Sequence, residues 1–285
     1  MGALLGLIAA LAYGASDFVA GVASRRMPVM LVTAATIVTE FALALLVLLF
    51  VHGEAPSVGT LFWAALSGVG SAVGTLALYQ GFAVGSMSVV ATVSGVLTVV
   101  IPAVVGVAIG NRLTAVGFAG VATAIVAVAL VSWTGGGFRL RGDGSSGAVY
   151  GMLAGASFAL LFIALERAGT SSGVWPVTAG QFVACVAIVP FAIVAMRRGG
   201  RRRTPVAVRS ALRLPVVAGV LGGLAAFSYL AATGFGELVV IAVLTSMYPA
   251  VTVLLARLVL RERWNWPQRV GLVLSAASVV TIAVS

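Results

Sequence analysis

Two carboxylates, Asp17 and Glu40, lie inside apolar stretches that are long enough to cross a membrane. A charged side chain near the bilayer centre costs about 2.5–3.5 kcal/mol on insertion scales, so each acid needs a reason to be there. Burial away from water favours the protonated form of a carboxyl group, and a group that exchanges protons must be able to hold one. Proton uptake and release is therefore the first chemistry that these two residues indicate.

Each acid has two interpretations. Glu40, the deeper of the two, is either a proton-coupling group or a structural glutamate that hydrogen-bonds a neighbouring helix. Asp17 lies four residues after Tyr13, so the two side chains share a helix face and can meet one substrate. The alternative for Asp17 is an ion pair with a loop arginine such as Arg25.

Other polar side chains in the apolar stretches are predicted to line a cavity for a small-molecule substrate. The alternative for each is a group that satisfies a helix carbonyl or bridges two helices, as in any bundle. The predicted substrate contacts are Tyr13, Asp17, Tyr79, Gln80, Ser94, Tyr229, Ser246 and Tyr248. Thr98, Gln181 and Thr245 are weaker candidates of the same kind.

Most catalytic and metal sites lack their parts in this chain. Cys185 is the only cysteine and His52 the only histidine, so a disulfide, a zinc site and a Cys/His pair are not expected. Motifs of the HExxH or GxSxG type and paired catalytic carboxylates are also missing. The sequence predicts no catalytic residue, no metal and no cofactor, and a membrane enzyme is a minor alternative. Cys185 is expected to be a small packing residue.

The composition excludes a water-soluble fold. Hydrophobic residues make up 61% of the 285 residues and charged residues 8%, whereas soluble chains carry about 25% charged residues. The net charge of +10 comes from 17 basic residues, all of them arginine, which lie between apolar runs. Membrane orientation accounts for these arginines, and no nucleic-acid partner is expected.

Ten stretches have the length of about 20 apolar residues that a transmembrane helix needs. The sequence thus predicts an all-α polytopic membrane protein. The predicted spans are 2–23, 28–51, 60–83, 88–109, 113–133, 148–166, 174–196, 214–233, 238–260 and 266–284.

The chain repeats itself. Residues 32–38 align with 177–183 at an offset of 145, and Ser94 aligns with Thr245 at an offset of 151. An insertion in the arginine-rich loop 197–213 accounts for the difference between the two offsets. Residues 1–133 and 148–285 are therefore predicted to be two five-helix repeats joined by a linker, 134–147. Because five spans is an odd number, the second copy enters the membrane from the opposite side, an inverted repeat typical of secondary transporters.

Arginine counting predicts the orientation. Loops that follow odd-numbered helices carry 13 arginines, and loops that follow even-numbered helices carry two. The positive-inside rule then places the odd loops in the cytoplasm and both termini outside, in the cell membrane. Glu262, flanked by Arg261 and Arg263, is expected to form an interfacial ion cluster that anchors its turn.

Glycines at four-residue spacing let helix backbones approach closely in lipid. Such pairs occur in both halves, at Gly70 and Gly74 in helix 3 and at Gly219 and Gly223 in helix 8. The two pairs are predicted to lie where the halves pack or slide.

The chain resembles the ten-helix EamA-type branch of the drug/metabolite transporter superfamily. The resemblance rests on Pro249, on Arg261-Glu262-Arg263 where the family often has Gly-Glu-Arg, on Gly271, and on the aromatic-glycine pair Tyr13-Gly14. It implies small-molecule transport across a lipid bilayer by alternating access, commonly export of amino acids or other metabolites, by a monomer or homodimer. Proton coupling is a further hypothesis. An uncoupled facilitator or exchanger and a multidrug efflux carrier are the alternatives, and a channel is a less favoured one.

Overall fold

The computed structural model describes residues 2–51, 53–108, 115–131, 145–169, 171–198, 205–233, 245 and 248–283. Within these ranges the chain forms ten helices and no strand. The helices are α1 (Gly2–Ser24), α2 (Val29–Leu48), α3 (Val58–Val84), α4 (Met87–Ala108), α5 (Ala115–Val131), α6 (Ser145–Ala168), α7 (Trp175–Arg198), α8 (Pro205–Thr233), α9 (Tyr248–Val259) and α10 (Trp266–Ala283).

Seven of these helices, α1 to α4 and α6 to α8, are long and apolar enough to cross a membrane. Two shorter apolar helices coincide with α5 and α9. The predicted all-α polytopic fold is confirmed, and most predicted spans agree with a helix to within a few residues.

The start of α8 differs from the prediction. Residues 205–213 are helical, although the sequence assigns them to an arginine-rich loop. The length of an apolar run reflects the thickness of the bilayer, so it predicts only the part of a helix that lies in lipid. Backbone hydrogen bonds can continue the helix beyond the lipid. Pro205 fits the first position of this helix because its missing N–H would have no intrahelical partner there.

Helix contacts cross between the two halves of the chain in a reciprocal pattern. α3 packs on α6 and α7, while α8 packs on α1 and α2. If α1 to α5 correspond to α6 to α10, the contact of α3 with α6 is equivalent to that of α8 with α1. The contact of α3 with α7 is likewise equivalent to that of α8 with α2. The contacts of α2 with α7 and of α5 with α10 map onto themselves. Repeats related by a pseudo-twofold axis produce this pattern.

Gly70 and Gly74 of α3 face α6. A Cβ on Gly70 would lie 2.7 Å from the carbonyl oxygen of Ser157, and a Cβ on Gly74 would lie 2.7 Å from the ring of Phe158. The glycines therefore let α3 and α6 approach at backbone distance, as predicted for a contact between the halves.

Gly219 and Gly223 of α8 face α2 instead. A Cβ on Gly219 would lie 2.6 Å from Cβ of Thr39, and Gly223 lies against Leu43. By the offset of 151 the counterpart of Gly219 is Gly68, which packs against α7. The two glycine pairs both lie between the halves, but they serve non-equivalent contacts.

The described loops lie at two ends of the bundle. Arg25, after α1, donates hydrogen bonds to the carbonyl oxygen of Gly85 at 2.9 Å and to Glu262 at 3.3 Å, so the loops after α1, α3 and α9 meet. At the opposite end, after α2 and α6, the N–H of Glu54 donates to the carbonyl oxygen of Ser171 at 3.3 Å. Among the described loops, those after odd-numbered helices are thus separate from those after even-numbered helices, as a chain that repeatedly crosses a bilayer requires.

Replacing Gly70 with valine is expected to separate α3 from α6 and to destabilise the protein by about 1–3 kcal/mol, the usual cost of overpacking. Gly59→Val in the same helix is the matched control, because the nearest atom to a Cβ there is 3.7 Å away. Unfolding in detergent followed by circular dichroism measures both variants. Equal stability of the two variants would contradict the role of Gly70 at the contact.

Candidate substrate-binding site

Asp17 on α1 and Glu40 on α2 lie close enough to interact electrostatically. Both side chains are surrounded by several helices, yet each keeps part of its surface accessible. The two predicted proton-coupling candidates therefore form one acidic pair.

Residues from two other helices hold Glu40. Gln181 of α7 donates a hydrogen bond from Nε2 to Glu40 Oε2 at 3.1 Å. On the other side, Gly222 of α8 leaves the space that Oε1 occupies, since a side chain at 222 would overlap this oxygen. Glu40 thus makes the bond to a neighbouring helix that a structural glutamate would make, and it does so beside a second acid.

Tyrosines surround the acidic pair. Tyr13 and Tyr79 interact electrostatically with both Glu40 and Asp17, and Tyr248 interacts with Asp17. The rings of Tyr13 and Tyr248 are tilted by 60° with their centroids 6.1 Å apart. Tyr229 of α8 interacts with Tyr13. Helices of both halves therefore contribute to one polar cluster.

The remaining predicted contacts are placed differently. Ser94 is 1% exposed, and its backbone packs against Gly155 of α6. Gln80 is partly exposed on α3 beside Tyr79. Neither has a described contact with the acidic pair, and Ser246 lies outside the described residues.

Cys185 lies near Glu40, and the two positions correspond at the repeat offset of 145. Equivalent residues meet only near a symmetry axis, so α2 and α7 cross where that axis would pass. Cys185 also packs against a cluster of small and apolar side chains, in agreement with its expected packing role. Phe162, the counterpart of Asp17, is 52% exposed. The acidic site is therefore not duplicated.

The sequence assigned Gln181 only a weak role and gave Gly222 none. Gln181 Oε1 is buried and finds no hydrogen-bond donor among the described residues. Buried polar atoms are normally satisfied, so this oxygen is an acceptor still open to a donor, on the side chain that bonds Glu40. The sequence did carry a signal for Gln181, because it is a polar residue at the position equivalent to Thr36, at the repeat offset of 145. Gly222 had no such signal.

Arg25 does not pair with Asp17. Its guanidinium donates to the carbonyl oxygens of Phe82 and Gly85, both at 2.9 Å, and to Glu262. The pairing of Asp17 with Arg25 is therefore not made, and no described arginine forms an ion pair with Asp17; a substrate contact of Asp17 stays a prediction.

Glu262 joins the two halves at the end where the odd loops meet. Its carboxylate accepts hydrogen bonds from the N–H groups of Met87 and Ser88 at 2.9 and 3.1 Å, and from the hydroxyls of Ser86 and Ser88 at 2.8 and 2.7 Å. It thereby caps the first turn of α4, whose amides have no partner within the helix. The described ion pair of Glu262 is with Arg25, not with its flanking arginines as expected.

The turn itself explains why the flanking arginine is not the partner. Arg261 has φ of 54°, and the N–H of Glu262 reaches back to the carbonyl oxygen of Ala256 at 3.5 Å, which ends α9 in the left-handed conformation. The turn directs Glu262 toward α4. Glycine adopts this conformation without strain, whereas arginine costs about 1 kcal/mol.

Burial alone would raise the pKa of Glu262, but the hydrogen bonds from Ser88, Met87 and Ser86 outweigh it and hold the pKa below its ordinary value of 4.5. A carboxyl group whose pKa is lowered by folding stabilises the fold above its unfolded pKa. This stabilisation is lost as the pH falls through the lowered folded pKa.

Glu262→Gln is expected to lower the free energy of unfolding by about 1.5–3 kcal/mol at pH 7, the usual worth of hydrogen bonds to a charged group. The difference from the native protein should shrink as the pH falls from 4.5 through the lowered pKa of the folded state, where the folded carboxylate becomes protonated. Detergent unfolding at several pH values measures it, with the exposed Glu166→Gln as the matched control. A difference that does not change with pH would show that the charge is not responsible.

Gly222→Ala is expected to displace the Glu40 carboxylate from Gln181, because the added methyl group overlaps Oε1. Gly59→Ala adds the same methyl group at an ordinary contact distance, 3.7 Å from the nearest atom, and is the control. Transport of a substrate should fall at least about tenfold in Gly222→Ala, the effect of about 1.4 kcal/mol, with little change in melting temperature. Normal transport by this variant would mean that the position of Glu40 is unimportant.

Comparisons with known proteins agree with this architecture. Residues 145–284 match the EamA-like transporter family. A search of curated protein sequences finds no match. Among solved structures, one crystal structure aligns over 99% of this chain and 96% of its own, with a TM-score of 0.62 at 15% identity, a likeness that shows the fold alone. This match places the second half of the chain in the EamA-like transporter family, a branch of the drug/metabolite transporter superfamily of multi-pass membrane transporters of small solutes.

Proposed function

We propose that this protein is a secondary-active exporter of small metabolites, in which the cluster around Asp17 and Glu40 binds the substrate. The observation that carries the proposal is the acidic pair, enclosed by helices from both halves of the chain. Carriers with internal repeats place their sites at such an interface, because relative motion of the halves exposes it to each side in turn.

The contacts of Glu262 supply a gate for alternating access. This carboxylate ties α4 and the end of α1 to the turn between α9 and α10, and Phe82 and Met87 beside it are fully buried. An opening at this end must break these contacts. The described conformation is therefore closed at the end where the odd loops meet.

Arginine counting makes the closed end cytoplasmic in the cell membrane. A substrate from the cytoplasm then enters only after the contacts of Glu262 separate. This gives the transport cycle a defined step at which substrate binding and gate opening are linked.

Proton coupling follows from the position of the acids. A carboxyl group in a site that alternates between two aqueous sides can take a proton from one side and release it to the other. Asp17 and Glu40 interact with each other and with the same tyrosine, Tyr79, so proton and substrate would compete for the same groups. Competition of this kind produces antiport.

An uncoupled facilitator or exchanger is the second candidate. The hydrogen bond from Gln181 favours it, because a Glu40 that serves only to bridge α2 and α7 does not need to titrate. The two candidates differ in their response to a pH gradient.

Comparing metabolites released by cells that overexpress the protein with those of cells that lack it identifies the substrate. This substrate, reconstituted with the protein in liposomes, should accumulate against its gradient when a pH gradient is imposed, and Asp17→Asn or Glu40→Gln should reduce that transport at least about tenfold. Glu166→Gln is the control, since this acid is exposed at the end of α6.

Normal gradient-driven transport by both Asp17→Asn and Glu40→Gln would overturn the coupling proposal. Saturable counterflow that ignores the pH gradient would establish the facilitator instead. Current that rises with concentration without saturating would indicate a channel.

A further inference from the structure

We infer that this site selects a positively charged organic substrate, one that carries an ammonium or similar cationic group and no carboxylate; its physiological meaning rests on the proposed transport function. The inference depends on three independent properties of the cluster: its charge, its hydrogen-bonding groups and its aromatic walls.

The charge of the site has one sign. Asp17 and Glu40 are its charged side chains, and the sequence offers no basic residue to balance them. All 17 basic residues are arginines in loops or near helix ends, and His52 lies outside the predicted spans. In a region of low dielectric, an anionic ligand beside these acids would meet uncompensated repulsion, whereas a cation would be attracted.

The hydrogen-bonding groups also favour a ligand that donates. The carboxylates of Asp17 and Glu40 are acceptors when ionised, and Gln181 Oε1 is a buried acceptor without a donor among the described residues. A primary ammonium group has three donors and no acceptor. Such a group placed between Glu40 and Gln181 would give Gln181 Oε1 the donor that it lacks among the described residues.

Aromatic side chains form the third property. Tyr13 and Tyr248 present tilted rings with centroids 6.1 Å apart, and both interact with Asp17. A cation is attracted to the face of an aromatic ring within about 6 Å of its centroid, most strongly where water is excluded. The aromatic rings can contact the apolar part of an organic amine, while the neighbouring carboxylate binds its ammonium group.

A zwitterion fits this site less well than an amine. Its ammonium group would find the same partners, but its carboxylate would lie near two acids, with tyrosine hydroxyls as the available donors. The site should therefore rank ligands in the order cation, zwitterion, anion when size and shape are held constant.

Binding of a cation should also release a proton. A protonated carboxyl group of the pair loses its proton to solvent as the cation takes its place, so a monocation exchanged for one proton leaves the charge of the site unchanged. The titratable groups around the pair are Tyr13, Tyr79, Cys185, Tyr229 and Tyr248, all neutral in their protonated forms. The affinity for amines should consequently fall as the pH is lowered.

Two matched ligand series test the order in the full-length protein in detergent. One is phenethylamine, phenylalanine and 3-phenylpropionate, and the other is putrescine, 4-aminobutyrate and succinate. Calorimetry gives their affinities, and the same titrations in two buffers of different ionisation enthalpy give the protons released. In at least one series the amine should bind about tenfold or more tightly than the anion.

Asp17→Asn and Glu40→Gln should each reduce this preference about tenfold, and Glu166→Gln should keep it. Melting temperatures report whether the variants fold, and the comparison of ligands on the native protein needs no variant. Equal binding of amine and anion in both series, or binding of neither amine, would overturn the inference.

The inference and the transport proposal fail in different ways. Selective amine binding without metabolite release from cells would leave the charge selectivity in place and remove the exporter. Release of an anionic or zwitterionic metabolite by a protein that does not prefer amines would remove the charge selectivity and leave the exporter.

Discussion

A carboxyl group inside a bilayer must be hydrogen-bonded or reach water, and the placement of Glu40 meets this constraint through neighbouring helices. Gln181 of α7 supplies the donor, and Gly222 of α8 supplies the space. Both helices must therefore approach α2 closely. Small residues such as Gly219 at the same contact make this approach possible, so the packing of the halves and the chemistry of the site depend on one another.

Much of the fold could be predicted from the sequence, because bilayer thickness dictates the length of an apolar run. The start of α8 could not, since helix hydrogen bonds extend beyond lipid. The role of Glu262 was also missed: a charge beside two arginines suggests a local cluster, whereas its partners Ser86 and Arg25 lie 176 and 237 residues away. Short-range patterns carry no information about such contacts.

The candidate site, like the fold, could be predicted from the sequence only in part. Tyr13 and Asp17 are four residues apart on one helix, so the sequence could predict that they act together. Glu40 and Gln181 are 141 residues apart, and only the packing of α2 on α7 joins them. Ser94 shows the opposite difficulty, since a hydroxyl in an apolar run has the same appearance whether it lines a cavity or, as here, packs within the bundle.

The counterparts of the two acids have a consequence for the origin of the protein. A homodimer of the second half would retain the reciprocal helix packing, but it would have Phe162 and Cys185 at both copies of the acidic positions. It would be a scaffold without a charged site. Joining two copies in one chain lets one half carry acids while the other remains a support, an asymmetry that two identical chains cannot have.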